Sequence, residues 1–298
     1  MTAENIRETD AGGGLPEDKK ILRLGIIYEE ESGRGLSHPF FVLILDSFKQ
    51  EAEAQGCEIT FLSNQIAGKK IPYEEYCRLS GVDGVCLVCA DFTSSKIKDL
   101  VSSGIPCVTV DHLFRRVPAV LSDNETGVRN LVEYAISCGH KRIAFVHGHN
   151  NSVVTRTRIQ QFLNTMSYHG LPVPDDYIRE SEYDNIRLTR KVVRDMLLMS
   201  ERPTCILLPD DIAYLGAQDA ARECSLSIPD DISFAGYDGI PITQSLKPQL
   251  TTIRQDSEQM GRLAAELLVG LIRDPENASR LPAILPVELI EGGTIGDI

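Results

Sequence analysis

Short apolar runs alternate with amphipathic stretches along almost the whole chain, and this alternation constrains the fold more than any other feature. The apolar run at 22–28 is followed by a stretch at 39–55 in which Phe41, Ile44 and Phe48 recur at helical spacing. Strands that alternate with helices form parallel sheets whose two faces are both covered. The sequence therefore predicts an α/β protein built from doubly wound parallel sheets.

A second series of the same kind begins after Gly139, which follows a predicted helix at 124–138. Two such series within 298 residues predict two lobes rather than one large sheet. Near the end, a long amphipathic helix precedes a last predicted strand at 283–289. The predicted strands and helices of the second series lie at 142–146, 152–168, 188–199, 204–208, 212–224 and 232–235.

The charge balance excludes several classes of function. Asp and Glu outnumber Lys and Arg by 43 to 30, giving a net charge of −13, which opposes broad contact with nucleic-acid phosphates or anionic lipid. No apolar run is long enough to cross a membrane, and the start of the chain lacks a secretory signal. Residues 1–20 are expected to be a flexible leader, and the cytoplasm is the expected compartment.

No metal, cofactor or catalytic motif is predicted. Cys86 and Cys89 have a CxxC spacing, but side chains three apart on a strand point to opposite faces and cannot share one zinc ion. His147 and His149 resemble a metal-binding pair without a third ligand. Phosphate-binding, dinucleotide-binding, nucleophile-elbow and HExxH motifs are all missing, so we predict a protein that is not an enzyme.

Polar residues collect directly after the predicted strands, where open α/β sheets bind their ligands. Asp210 and Asp238 follow two strands, and Arg158 lies in the helix after another. Carboxylates accept hydrogen bonds from sugar hydroxyls, a guanidinium donates them, and an aromatic ring such as Phe40 or Tyr183 can cover an apolar ring face. The pattern favours a small hydroxylated ligand over an anionic one.

Other carboxylates near the strand ends have simpler interpretations. Asp211 precedes a predicted helix and is expected to cap it, while Asp111 and Asp123 are interpreted as turn residues near a crossing between lobes. Asp210 and Asp238 also have an alternative role as a glycosidase carboxylate pair, because the sequence does not give their separation. Ligand binding is therefore the favoured interpretation of both residues, and catalysis is the alternative.

Several motifs, taken in their order and spacing, give a family resemblance. From about Leu22 to Gly292 the chain resembles the effector-binding region of the LacI/GalR transcriptional regulators, which has a periplasmic binding protein-like type I fold. The motifs that carry this resemblance are Ser37-His-Pro-Phe-Phe41, Val82-Asp-Gly84, Gly104-Ile-Pro106, Gly139-His-Lys-Arg-Ile-Ala144, Thr155-Arg-Thr-Arg158, Asp210-Asp211, Ile228-Pro-Asp-Asp-Ile-Ser233, Gly236-Tyr-Asp238 and Leu250-Thr-Thr-Ile-Arg-Gln255.

The resemblance implies two lobes that are joined by three crossovers and hinge around a small effector, a sugar or a nucleobase-like molecule. The N-terminal lobe would comprise 21–138 plus 257–280, and the C-terminal lobe 139–256 plus 281–292. The family usually forms dimers, so a homodimer is expected. Carried over by motif, the implied ligand-binding residues are Phe40, Arg158, Tyr183, Asp210, Asp238 and Gln255.

Two departures from the family pattern affect these expectations. Asp210 stands where the family usually has Asn, which adds negative charge to the cleft. Family regulators also carry a helix-turn-helix headpiece of about sixty residues before this region, where the present chain has about twenty, so operator DNA would be bound only through a headpiece outside this chain. A solute-binding protein for a sugar transporter, a headless cytoplasmic sugar sensor and a sugar-modifying enzyme stay as alternatives. Arg158→Ala or Asp238→Ala is predicted to remove ligand binding and leave the fold intact.

Overall fold

The computed structural model describes residues 20–298 apart from 30–35, 37, 64, 67 and 68. All of the predicted leader except Lys20 lies outside the described residues, as does Ser37 of the first family motif. Two six-stranded sheets and the helices packed on them make up the described part of the chain. The predicted α/β class with parallel sheets is confirmed.

The first sheet has the strand order β13-β7-β6-β5-β1-β2, and every neighbouring pair is parallel. Its β5 is buried at every residue because helices cover both faces of the sheet. We call this sheet and its helices the first lobe. Its strands are β1 (Leu22–Tyr28), β2 (Cys57–Leu62), β5 (Gly84–Val88), β6 (Cys107–Val110), β7 (Ala119–Ser122) and β13 (Ala283–Leu285), and a small antiparallel hairpin adds β3 (Gln65–Ile66) and β4 (Lys69–Lys70).

The second sheet has the order β14-β12-β11-β10-β8-β9. Its pairs are parallel except for the edge pair β12–β14, which is antiparallel. We call this sheet and its helices the second lobe. Its strands are β8 (Ile143–His147), β9 (Ile178–Glu180), β10 (Cys205–Leu207), β11 (Ser233–Asp238), β12 (Thr251–Gln255) and β14 (Val287–Ile290).

The helices follow the apolar periodicity of the sequence, and several begin at a capping residue. Ser152, for example, accepts a hydrogen bond from the Thr155 amide at the start of its helix, which satisfies one of the free donors there. The helices are α1 (Pro39–Ala54), α2 (Tyr73–Ser80), α3 (Ser95–Ser102), α4 (Asn124–Ser137), α5 (Val153–Tyr168), α6 (Ile186–Leu197), α7 (Ala213–Glu223), α8 (Pro241–Gln244) and α9 (Ser257–Arg273), with a short 3₁₀ turn at Asp175–Tyr177.

Within the described residues the chain passes between the lobes three times, as predicted for the fold class. Asp123 connects β7 to α4, Asp256 connects β12 to α9, and Pro286 connects β13 to β14. Asp123 and Asp256 each cap the helix that follows, by accepting a hydrogen bond from a backbone amide three residues ahead. At each of these two crossings a hydrogen bond therefore holds the connecting residue to the start of the next helix.

Two of the predicted lobe boundaries are wrong. Helix α4 was expected in the first lobe, but its Val128, Leu131 and Val132 pack with Ile143 and Phe145 in the core of the second lobe. The crossing therefore lies at 123 rather than 138. The short strand β7 was not predicted, and a strand at this point would have placed the crossing ahead of the helix.

The predicted single strand at 283–289 is also wrong. Pro286 divides it into β13, which pairs with β7 of the first lobe, and β14, which pairs with β12 of the second. Proline lacks a backbone N–H and is poorly tolerated inside a sheet, so a break at this residue has a physical cause. The prediction that 281–292 lies wholly in the second lobe fails for β13 alone.

Candidate functional site

A cavity of about 400 Å³ lies between the two lobes, and we call it the cleft. Its lining comes from the carboxyl ends of the strands and the loops that follow them, as open α/β sheets lead one to expect. Five of the six predicted ligand-binding residues line it: Phe40, Arg158, Tyr183, Asp238 and Gln255. Its volume falls within the range of small-molecule sites.

Arg158 provides the positive charge of the cleft and is itself tightly held. It lies on α5 and is 5% exposed. Its Nε donates to Oδ1 of Asn124 at 2.7 Å, its Nη1 donates to the carbonyl of Pro209 at 3.2 Å, and its Cζ lies 3.5 Å from the centre of the Tyr237 ring. These contacts orient the guanidinium, and Arg158 lines the cleft.

Asp238 ends β11 in an unusual backbone conformation, with φ of 118°. Its Oδ1 accepts a hydrogen bond from Nε2 of Gln255 at 2.7 Å, which joins the ends of the neighbouring strands β11 and β12. Burial and the nearby carboxylates of Asp211 and Asp210 raise the pKa of Asp238 well above its usual range, although Arg158 opposes this rise. A non-glycine residue at such a φ is strained, and strain of this kind is common at binding sites.

Asp111, which was predicted to be a structural turn residue, lines the wall of the cleft instead. It follows β6 with φ of 57°, and its Oδ1 is buried without a hydrogen-bond partner among the described residues. Burial raises the pKa of Asp111 to about 6, against the lowering influence of Arg158 and of the Ser122 amide. The position of Asp111 directly after a predicted strand is the sequence feature from which its place in the cleft could have been predicted.

Asp210 has a different position from the one predicted. It does not line the cleft, and it is 2% exposed. Its Oδ2 accepts from the amide of Asp184 and its Oδ1 from the amide of Ala213, both at 2.7 Å. Asp210 therefore lies behind the cleft wall, where it holds the start of α7 and the loop that carries Tyr183. Burial raises its pKa to about 6.

The predicted cap at Asp211 is also wrong, because Asp210 makes the capping bond. The carboxylate of Asp211 is fully buried and accepts from the Ile240 amide at 2.9 Å and from the hydroxyls of Thr243 and Thr252 at 2.7 and 2.5 Å. It thereby connects α7, α8 and β12 behind Asp238. Burial raises the pKa of Asp211 to about 7, although the three donors counteract that rise.

Tyr183 forms part of the second-lobe wall. Its hydroxyl is 2.8 Å from Oγ1 of Thr155 on α5, so the loop and the helix fix the ring together. The ring lies against Gly148, where an added Cβ would come within 2.2 Å of Tyr183 Cε2. The side chain of any other residue at 148 would therefore displace the ring.

Aromatic rings dominate the first-lobe wall. Phe92 stacks on His112 with 4.2 Å between ring centres, and burial lowers the pKa of His112 to about 4, which keeps its ring uncharged at neutral pH. Phe40 also lines the cleft but is 4% exposed and is mainly part of the first-lobe core. Phe41 packs on Phe40 with 5.3 Å between ring centres. This wall offers apolar ring faces to a ligand.

The described residues contain no group of three or more His, Cys, Asp or Glu side chains arranged to hold a metal ion. His147 and His149 point to separate partners: Nδ1 of His147 lies 2.7 Å from the Gly148 carbonyl, and Nδ1 of His149 lies 3.0 Å from Glu180. Within the same part of the chain, no helix has both the length and the apolar character needed to cross a bilayer.

Comparison with known proteins agrees with this architecture. A family model described as "Periplasmic binding protein-like domain" matches residues 132–295, more than half of the 298 residues. The HTH-type transcriptional repressor PurR of Vibrio parahaemolyticus is 29% identical over 264 residues, which are 86% of this chain and 77% of that protein.

Two solved structures are similar over most of their length. A regulatory protein of the LacI family from Chloroflexus aggregans is 29% identical with a TM-score of 0.77, over 92% of this chain and 98% of that one. A LacI family transcriptional regulator from Enterococcus faecium, solved with bound ribose, is 22% identical with a TM-score of 0.79, over 93% of this chain and 99% of that one, which shows a shared fold. The chain belongs to the family of proteins with a periplasmic binding protein-like domain.

Proposed function

We propose that this chain is the effector-binding core of a LacI/GalR-type transcriptional regulator, and that it closes its lobes around a sugar or similar small polar molecule. The observation that carries this proposal is the cleft itself, in which five of the six residues expected from the family motifs meet between two lobes. Three chain crossings connect these lobes, an arrangement suited to hinge closure.

The chemistry of the cleft supports a hydroxylated ring as the ligand. Arg158 can donate hydrogen bonds, Asp238 and Gln255 can accept them, and the rings of Phe92 and Tyr183 can cover an apolar ring face. Charge-assisted hydrogen bonds contribute ~1.5–3 kcal/mol each, so three of them with ring burial give an affinity on the order of micromolar.

The relatives support a regulatory role and no catalysis. The PurR protein of Vibrio parahaemolyticus is a transcriptional repressor, and this chain covers 77% of it. In this proposal ligand binding favours the closed arrangement of the lobes, and that shift is transmitted to bound DNA in the complete regulator. A regulator of transcription works where the DNA is, which is consistent with the cytoplasm.

A thermal-shift screen of purified protein against neutral sugars, amino sugars, sugar phosphates and nucleobases tests the proposal. A ligand present at a hundred times its Kd should stabilise the protein by ~2.7 kcal/mol, which is a readily measured rise in Tm. Asp238→Ala should abolish the shift, whereas Asp219→Ala, at a partly exposed position of α7 outside the cleft lining, should retain it. Turnover of a bound sugar, or equal shifts in both variants, would contradict this assignment.

We also propose a homodimer. Val42 and Leu43 are adjacent on α1 and are 42% and 38% exposed, so they present apolar surface that a second copy of the chain would cover. Sedimentation equilibrium should give twice the mass of the chain, and Leu43→Glu should shift the mass towards the monomer. A monomeric wild-type protein at micromolar concentration would refute the dimer.

A further inference from the structure

The described residues that line the cleft include more acidic side chains than cationic ones. Arg158 is the only Lys or Arg among the described lining residues, and two of its nitrogens already donate to Asn124 and Pro209. Asp111 and Asp238 face the same space from opposite lobes. Two acidic side chains and one guanidinium therefore share this inner part of the cleft.

Gln255 gives an independent indication of what a ligand must supply. The side chain is 4% exposed and lines the cleft. Because its Nε2 donates to Asp238, its Oε1 is the remaining acceptor, and this atom is buried without a partner among the described residues. A buried acceptor of this kind is costly unless a ligand or water donates to it.

Two acceptors on separate elements thus lack a donor among the described residues: Oδ1 of Asp111 after β6 and Oε1 of Gln255 at the end of β12. The carboxylate of Asp238 at the end of β11 lines the same cleft and accepts one hydrogen bond, from Gln255. A hydroxyl donates one hydrogen bond and also brings lone pairs, whereas an ammonium group has three donors and no acceptor. A metal ion is a poor alternative, because the described residues include no suitable cluster.

We propose that the effector carries a protonated primary amine, as an amino sugar does, and that the amine binds between Asp111 of the first lobe and Asp238 of the second. The inference rests on the proposed function and specifies its ligand class. An ammonium group held by one residue of each lobe can make both contacts only when the lobes are close together, which couples ligand binding to lobe closure.

Matched probes test the charge of the ligand directly. Isothermal titration at pH 7 would compare D-glucose, D-glucosamine, N-acetyl-D-glucosamine and D-glucose 6-phosphate, with the corresponding galactose series beside them. In at least one series we expect the amine to bind about tenfold or more tightly than its neutral parent, since charge-assisted hydrogen bonds are roughly twice as strong as neutral ones. The acetylated and phosphorylated members should bind more weakly than the amine.

Variants locate the interaction. Asp111→Asn should remove the preference for the amine over the neutral parent, whereas the surface control Asp219→Asn should keep it. A neutral or phosphorylated sugar that binds as tightly as its amine, or a preference that survives in Asp111→Asn, overturns the inference and leaves the proposed sensor function standing. If no member of either series binds, both the amine inference and the proposal of a sugar effector fail.

Discussion

Two pairs of carboxylates lie at the same end of the parallel sheets yet have opposite surroundings. Asp210 and Asp211 form a sealed pair behind the cleft wall, where backbone amides and threonine hydroxyls donate to their oxygens. Asp111 and Asp238 form an open pair that lines the cleft. The difference shows that position after a strand brings a carboxylate to this region, and that local donors decide whether it serves the fold or a ligand.

The strongest test of this comparison exchanges a carboxylate of each pair for alanine. Asp211→Ala removes three hydrogen bonds and leaves buried donors unsatisfied, so we expect a loss of about 3–5 kcal/mol in the free energy of unfolding. Asp238→Ala should change that free energy by less than about 1 kcal/mol, since it removes one side-chain bond and a buried charge. Urea denaturation measures both. Equal losses in the two variants would abolish the distinction between sealed and open pairs.

Arg158 combines the two roles that the carboxylate pairs divide between them. It lines the cleft, and it also donates hydrogen bonds to Asn124 and to the Pro209 carbonyl within the protein. The expectation that Arg158→Ala leaves the fold intact therefore needs correction. We expect the variant to lose ligand binding and also about 2–4 kcal/mol of unfolding free energy, because two buried acceptors lose their donor and the Tyr237 ring loses its cation–π contact. Denaturation and titration of the same preparation separate the two effects, and unchanged stability would show that the internal contacts contribute little.

Alanine substitutions at Gly148, next to Tyr183 of the cleft wall, and at Gly270 on an exposed part of α9 test the same contrast. Gly148→Ala should displace the Tyr183 ring and weaken ligand binding by about 1–2 kcal/mol, the usual effect of overpacking. Gly270→Ala in α9 meets nothing within 4 Å and should stabilise the helix by about 0.5–1 kcal/mol without affecting binding. Titration and thermal unfolding of both variants check the contrast, and unchanged affinity in Gly148→Ala would mean that Tyr183 does not contact the ligand.

The sealed pair should also leave a signature in the pH dependence of stability. Burial raises the pKa of Asp210 to about 6 and that of Asp211 to about 7, from a usual value of 3.8. The folded protein therefore holds these protons more tightly than the unfolded chain, and this contribution is complete below about pH 4 and is lost as the pH rises through 6 to 7.

For the sealed pair the expected loss of unfolding free energy between pH 5 and pH 8 is about 1 kcal/mol from Asp210 and about 2–3 kcal/mol from Asp211. Asp210→Asn removes one of the two titrations and should flatten the dependence relative to wild type. Urea denaturation at both pH values measures the slope, and the same slope in wild type and variant would show that Asp210 titrates normally.

The sequence was sufficient to predict the fold class and the general location of the cleft, because hydrophobic periodicity and strand ends are local features. The boundaries of β1 agree with the prediction, whereas β7 was missed and 283–289 proved to be two strands in two sheets. Pairing partners are set by tertiary contacts, and four-residue strands carry little periodic signal. Lobe membership at the crossings could therefore not be derived from the pattern.

The same limit applies to the candidate site. Arg158, Asp238 and Gln255 were identified from their motifs and do line the cleft. Asp210, Asp211 and Asp111 all follow strands, and the sequence does not show which of them meets an amide or hydroxyl donor. Those donors come from residues up to 41 positions away, such as Thr252 for Asp211. The roles of the four aspartates became distinguishable only from the three-dimensional contacts.

The central claim is that the open pair, together with Arg158 and Gln255, binds a small polar molecule between the lobes. The most direct test is a crystal structure grown with the compound that gives the largest thermal shift. We predict ligand donors within about 3 Å of both Asp111 and Asp238, with the guanidinium of Arg158 in contact with the ligand. A ligand bound outside the cleft, or one held by Asp210 and Asp211 instead, would contradict the account.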